Sequence, residues 1–258
     1  MFFDRITAKQ EAKRIIRETH PSPVLVTIAY LLLTTGLGYL VGIFSTNPFS
    51  DAMAYVLEGY DPVQVYAYVF GGGGAIISIF ISILLGLYNT VMAFGYSSYI
   101  LSVSRREESG YRSLLDGFGM IVKVVVLDLV TSLVVALGIM FFVVPGIILS
   151  YSYAMAVFCL LEDPDISVLE AMRRSRQMMR GQKMHLFVVQ LSFFGWVLLV
   201  TAVSGLLFAL VGEGASVAFE TVFHFWLTPY MSIVTAQFYN SLIGWNGRSE
   251  YTGPRLEF

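Results

Sequence analysis

Three stretches of this chain, around 45–74, 143–146 and 212–220, contain no lysine or arginine, although the sequence holds sixteen such residues. Cysteine is scarcer still. Cys159 alone excludes an internal disulfide or a cysteine-based zinc site, and its place in an apolar run reads as a small buried hydrophobe. Charge of either sign is sparse, at 13% of residues against 56% hydrophobic. With a mean hydropathy of +0.71, the chain is too apolar for an ordinary soluble domain.

Chemistry-bearing patterns are also few. There is no His-Glu-x-x-His motif, and the three histidines (His20, His185 and His224) fall at positions that cannot converge on one metal. Ser204-Gly205 lies in an apolar segment without a histidine or lysine base at similar depth, which argues against a serine nucleophile. Gly71–Gly74 precedes no Lys-Ser/Thr, so it is no phosphate loop and reads as a hinge. No nucleotide-binding pattern is present. The expectation is a protein that is not an enzyme and needs no cofactor or metal.

What the sequence does have is long uncharged runs. A membrane helix needs about 20 apolar residues to cross a hydrocarbon core of roughly 30 Å. Segments 24–44, 75–103, 121–144, 146–161, 186–211 and 221–245 meet or approach that length. The third must begin near Ile121 and carry Asp128 inside the membrane, because the uncharged run beyond it is too short for two spans and a turn. Pro145-Gly146 is expected to form that turn, proline stopping one helix and glycine tolerating positive φ. Pro229 is expected to kink the sixth span or open its regular part.

These boundaries put every basic residue on one side. Arg5, Lys9, Lys13, Arg14 and Arg17 precede the first span, and Arg105, Arg106, Arg112 and Lys123 separate the second from the third. Arg173, Arg174, Arg176, Arg180 and Lys183 separate the fourth from the fifth, and Arg248 and Arg255 follow the sixth. Loops rich in Lys and Arg stay cytoplasmic. The fold class expected is all-α: a single polytopic membrane domain over 1–258, its six transmembrane helices arranged as three hairpins with cytoplasmic interfacial helices. The location expected is a cytoplasmic membrane, with segment 1–23 and both termini inside. Nucleic acid is not an expected partner, since the basic residues face the inner leaflet.

The 45–74 connection is aromatic, with Phe49, Tyr55, Tyr60, Tyr66, Tyr68 and Phe70, and suits an outer interfacial lid. Each hairpin returns through a cluster of small residues and tyrosine: Gly95–Tyr99, Ser150–Tyr153 and Thr228–Ser232. Small residues let helices approach closely in lipid, and the recurrence suggests a threefold repeat.

Residues 165–183 form the best-written cytoplasmic element. Ser167-Val168-Leu169-Glu170 fits a capping box, with Ser167 as N-cap and Glu170 at N3. At 100° per residue, Val168, Leu169, Ala171, Met172, Ser175, Met178 and Met179 share a face opposite Glu170, Arg173, Arg174, Gln177 and Arg180. Such a helix lies in the inner interface or packs on the protein's own underside. In the first case Arg173, Arg174, Arg180 and Lys183 are candidate contacts for anionic lipid headgroups.

Met178-Met179-Arg180-Gly181-Gln182-Lys183-Met184-His185-Leu186-Phe187 leads into Leu191-Ser192-Phe193-Phe194-Gly195-Trp196. Trp226-Leu227-Thr228-Pro229-Tyr230, Ala236-Gln237-Phe238-Tyr239, Val144-Pro145-Gly146-Ile147, Tyr151, Tyr153 and Glu162-Asp163-Pro164 complete an ordered series. Over roughly 112–244 the chain resembles the bacterial membrane-protein family known as domain of unknown function 975. Gln182 stands where that family usually has histidine. The family in turn looks like a distant relative of the membrane domain attached to some glycerophosphodiester phosphodiesterases. The resemblance implies six membrane helices and no established activity.

A band of polar residues remains inside the spans: Asp128, Gln190, Gln237, Asn240 and Asn89. At 1.5 Å per residue, Asp128 lies about 10 Å inside the third span, and Gln190, Gln237 and Asn240 at about 7, 12 and 8 Å from the same side. Matching depth makes Gln190 and Gln237 the expected partners of Asp128, as interhelical glue or as the lining of an inner-facing cavity. Two functions follow. The first is a non-enzymatic accessory, immunity-type or envelope-stress protein with an unidentified membrane-protein partner. The alternative is a carrier or channel for a small polar or lipid-like molecule.

Overall fold

The computed structural model describes residues 4–44, 48–71 and 73–244, and the regular structure among them is entirely helical. Arg248, Arg255 and the expected end of the sixth span at 245 lie outside the described residues, as do the side chains of Phe49, Tyr68 and Phe70.

The N-terminal segment is a docked helix, α1 (Arg5–Glu18). Asp4 caps it, accepting from the Ile6 amide at 3.0 Å and from the Thr7 hydroxyl. Ala8, Ala12 and Ile15, spaced four and three apart, form its buried stripe. Lys9 Nζ lies 4.7 Å from the Phe193 ring centroid and Lys13 Nζ 5.9 Å from that of Tyr230. Arg106 reaches Glu11 at 2.6 Å and Glu18 at 3.5 Å from the next basic connection. Burial, with Arg5 and Lys13 nearby, lowers the pKa of Lys9.

The first span is α2 (Pro23–Leu31) and α3 (Leu37–Phe44), joined by a π-helical turn at Leu32–Gly36. Pro23 stands at the N-terminal turn, where its missing N–H costs nothing. The 45–74 connection contains two short helices, α4 (Pro48–Leu57) and α5 (Pro62–Phe70), the latter capped by Asp61 on the Val63 amide at 3.0 Å. Val65 of α5 is buried, but Met53, Leu57, Val63 and Tyr66 are all exposed.

The long α6 (Gly73–Ser104) follows, then a 3₁₀ segment at Tyr111–Met120 that lies directly along α6. Two glycines make this approach possible. A Cβ on Gly95 would sit 2.0 Å from the Leu114 carbonyl oxygen, and one on Gly117 would sit 2.2 Å from that of Val91. The Ser98 hydroxyl donates to Asp116 at 2.6 Å, fixing the same seam.

The next hairpin reverses at Phe142, whose backbone is extended (φ −160°, ψ 145°), between α7 (Ile121–Phe141) and α8 (Val143–Tyr153). This corrects the expected turn at Pro145-Gly146. Pro145 lies in the first turn of α8, a position that tolerates it. Gly146 serves close packing instead: its Cβ would fall 2.2 Å from Cγ1 and 2.8 Å from the backbone nitrogen of Ile139. The fourth segment is also broken, with α9 (Ala156–Glu162) starting after Ala154-Met155.

Beneath that break lies α10 (Val168–Met178). The expected cap is present, Ser167 Oγ accepting from the Glu170 amide at 3.2 Å. The Glu170 carboxylate, however, pairs with Arg173 at 2.5 Å and Arg174 at 3.3 Å. The face with Ala171, Met172 and Ser175 is buried against the protein's own underside. Ser175 explains why. Its hydroxyl donates to the Ser152 carbonyl at 2.9 Å and accepts from the Met155 amide at 3.2 Å, serving backbone groups at the break.

The chain closes with α11 (Lys183–Leu210) and α12 (Glu213–Leu242). Pro229 stands inside α12 rather than opening it, and is buried. Among the described residues, five helical stretches are long and apolar enough to cross a membrane: Pro23–Gly42, Gly74–Ser104, Tyr111–Phe141, Val143–Glu162 and Lys183–Leu210. The chain has the character of a multi-pass membrane protein. The sixth expected span, α12, is 30 residues long but falls outside that set.

Burial is concentrated at the end of the bundle where α6 finishes and α11 begins. Tyr99, Met155, Leu160, Met179, Leu186, Ile233 and Phe238 are fully enclosed there. At the other end, Phe141, Val144, Leu206, Phe208 and Val222 are exposed.

Candidate functional site

The five polar residues singled out within the spans do not form one cluster. Asp128 does not meet Gln190 or Gln237. Its carboxylate accepts from the Thr90 hydroxyl of α6 at 3.3 Å, and α6 packs along α7. Gln190 instead accepts from the Tyr151 hydroxyl at 2.6 Å, across α8 and α11. Both polar atoms of the Gln237 amide are buried with no hydrogen-bond partner among the described residues.

Asn240 belongs to a separate inner junction. Its Nδ2 donates to Ser104 Oγ at 2.9 Å, and its Oδ1 accepts from Arg105 Nε at 3.1 Å. Arg105, with a side chain only 9% exposed, also binds Glu162 at 2.6 Å. The junction ties α6, α9 and α12 together through charge-assisted bonds. Its partners satisfy one another, which marks it as structural.

Asn89 and Asp128 do come together, on the wall of a cavity of about 400 Å³ between α2, α6, α7 and the α8–α9 break. Thr90, Ser97, Thr131 and Tyr153 add polar groups, and Phe94 and Tyr30 add rings. Tyr30 is held by stacking on Tyr96 at 4.5 Å, whose hydroxyl is hydrogen-bonded to Thr27 at 2.8 Å. Asp128 is the only charged side chain lining the cavity among the described residues. The buried Thr131 hydroxyl has no hydrogen-bond partner among the described residues.

A second, more open cavity of about 730 Å³ shares Tyr30 and Asn89 with the first. It runs along the π-helical turn, past Thr34 and Thr35 to Gly38 and Gly42. Neither of these two glycines has a neighbour within 4 Å of its missing Cβ, so that wall is smooth. π-Helical turns are rare and often occur at functional sites. The two cavities make one groove with a polar end and a long flank. Sequence reasoning found Asn89 and Asp128 by their polarity in apolar runs and noted Tyr153 only as part of a motif, but missed Thr90 and Thr131, residue types common in any span.

The cations proposed for lipid headgroups separate as well. Arg174 pairs with Asp163 at 3.1 Å and with Glu170, and Arg173 with Glu170. Burial works against the Arg174 charge, but hydrogen bonds to Asp163 and Glu170 outweigh it and raise its pKa. Arg180, which is exposed, and the half-buried Lys183 make no ion pair with a described carboxylate.

No curated protein and no solved structure matches the chain. A family model does, over residues 1–246, a range that takes in the first hairpin and both walls of the groove. The chain belongs to that family, DUF975, described as a protein of unknown function.

Proposed function

We propose that this is a six-span membrane protein, with both termini in the cytoplasm, that binds a lipid-like molecule in the groove between its first span and α6–α7 and acts without covalent catalysis. The observation that carries the reading is the groove itself. Polar side chains in a membrane are costly and gather around interiors and cavities, and here Asp128, Asn89 and Thr131 line one cavity. The smooth flank beside Gly38 and Gly42 suits an apolar chain. For the sixth span, α12 supplies 30 residues, about 45 Å of helix. The basic connections favour the cytoplasmic assignment of both ends.

An accessory role through a membrane partner is the second reading. The outward apolar residues of α4 and α5, with Leu57 80% and Val63 75% exposed, favour it. Protection of a cysteine placed at Ser97, in a Cys159→Ala background, separates the two. A long-chain amphiphile should slow its reaction with a thiol reagent in the purified protein. Unchanged reactivity with every amphiphile offered would remove the groove reading, and a stable co-purifying membrane protein would then favour the accessory role. Uptake of a fluorescent amphiphile into liposomes, lost on Asp128→Ala, would extend binding to transport.

A further inference from the structure

We infer that the groove is selective for amphiphiles with a cationic, ammonium-type head, which the Asp128 carboxylate receives. The inference rests on the groove reading above and adds the chemistry of the ligand. An ionised carboxylate inside a span is stable only if it is paired, hydrated or protonated. Asp128 has one long hydrogen bond, from Thr90 at 3.3 Å, and no basic partner among the described residues. Lys123, the nearest basic residue along α7, is engaged elsewhere, donating to the Pro164 carbonyl at 2.6 Å.

The carboxylate therefore sits on the wall of the cavity with no counter-charge among the described residues. The rest of the wall suits the same guest. Tyr30, Phe94 and Tyr153 line the cavity with it, and ring faces attract ammonium groups electrostatically. Asn89 and Thr131 supply neutral oxygens, the latter hydroxyl still unpartnered. No arginine or lysine among the described residues lines either cavity, so a phosphate or sulfonate head finds no complementary charge there. The tail follows the second cavity along the π-helical turn, where Tyr30 and Asn89 form the shared wall.

The test uses the full chain, purified in a nonionic detergent. It is titrated with a fluorescent long-chain trimethylammonium and with sulfonate and neutral counterparts of the same chain. The wild type should bind the ammonium probe about tenfold tighter than the sulfonate, the size of one charge-assisted contact. Asp128→Asn, which keeps shape and a hydrogen-bonding group, should abolish that preference. Tyr153→Leu should reduce it severalfold.

Displacement by phosphatidylethanolamine would assign the head to a lipid, and displacement by an alkylammonium alone would assign it to a free amphiphile; either supports the inference. If all three probes protect a cysteine at Ser97 equally, or Asp128→Asn keeps the preference, the cation inference falls while the groove survives. If no probe protects it, both fall.

Discussion

Replacing Ser175 by alanine removes one oxygen atom from the underside of the bundle, yet it should loosen two elements at once. The hydroxyl is fully buried and bonds both the Ser152 carbonyl and the Met155 amide, on either side of the α8–α9 break. An orphaned buried donor or acceptor costs about 1–3 kcal/mol. With two groups affected and some relaxation of the carbonyl, the total should be roughly 2–3 kcal/mol. For a chain of this size that corresponds to a fall in melting temperature of about 5–10 °C.

The protein carries its own reporter: Cys159 is the only cysteine and is buried in α9. A thiol-reactive dye that fluoresces on coupling therefore reads unfolding directly in detergent. Arg173→Ala is the control, since that side chain is 60% exposed and its exposed ion pair should be worth less than about 1 kcal/mol. A Ser175→Ala protein melting within about 1 °C of wild type would refute the claim that this hydroxyl holds α10 to the break.

Further outcomes follow from other contacts. Gly95→Ala should destabilise by about 2–3 kcal/mol through overpacking, because its Cβ meets the Leu114 backbone, whereas Gly86→Ala, with open space, should be neutral or slightly stabilising; the same thermal assay compares them. Glu162→Ala leaves the enclosed Arg105 with Asn240 but without its carboxylate, and should cost about 2–4 kcal/mol; Glu162→Gln should cost less. In intact cells lacking Cys159, an impermeant thiol reagent should label cysteines at Glu58 and Glu213 but not at Glu107 or Arg180, and the reverse pattern would overturn the cytoplasmic placement of the termini.

Local chemistry was the legible part of the sequence. The Ser167 cap depends on residues within one turn, and so it could be read three positions ahead. The long apolar runs reported their own helices for the same reason. Partners across the bundle were not legible. Depth along a helix said that Asp128, Gln190 and Gln237 lie at similar heights, but not which neighbour each helix turns toward, and Thr90 was hidden by its ordinariness. Proline-glycine was read as a turn at 145–146, whereas an early helical position and a crowded crossing against Ile139 account for the two residues. Gly117 gave no warning either, since its reason is the backbone of Val91, far away in the chain. The residues 45–74 looked like a loop because α4 and α5 are too short to show a span, although Asp61-Pro62 is a recognisable helix start.

The uneven distribution of burial along the bundle makes bilayer thickness a variable the protein can respond to. At the Arg105–Glu162 end, enclosed side chains and an ion pair fix the helices against one another. At the Phe142 end, the same helices present Phe141, Leu206, Phe208 and Val222 outward, and α7 and α8 stay closely packed against each other, where Gly146 meets Ile139. Helices adjust to hydrocarbon thickness by tilting, at fractions of a kcal/mol per Å. A change in thickness would spread or gather these exposed hairpin ends about a fixed base, like ribs about the runner of an umbrella. The width of the groove beside Thr34 and Gly38 would then follow the lipids that surround it.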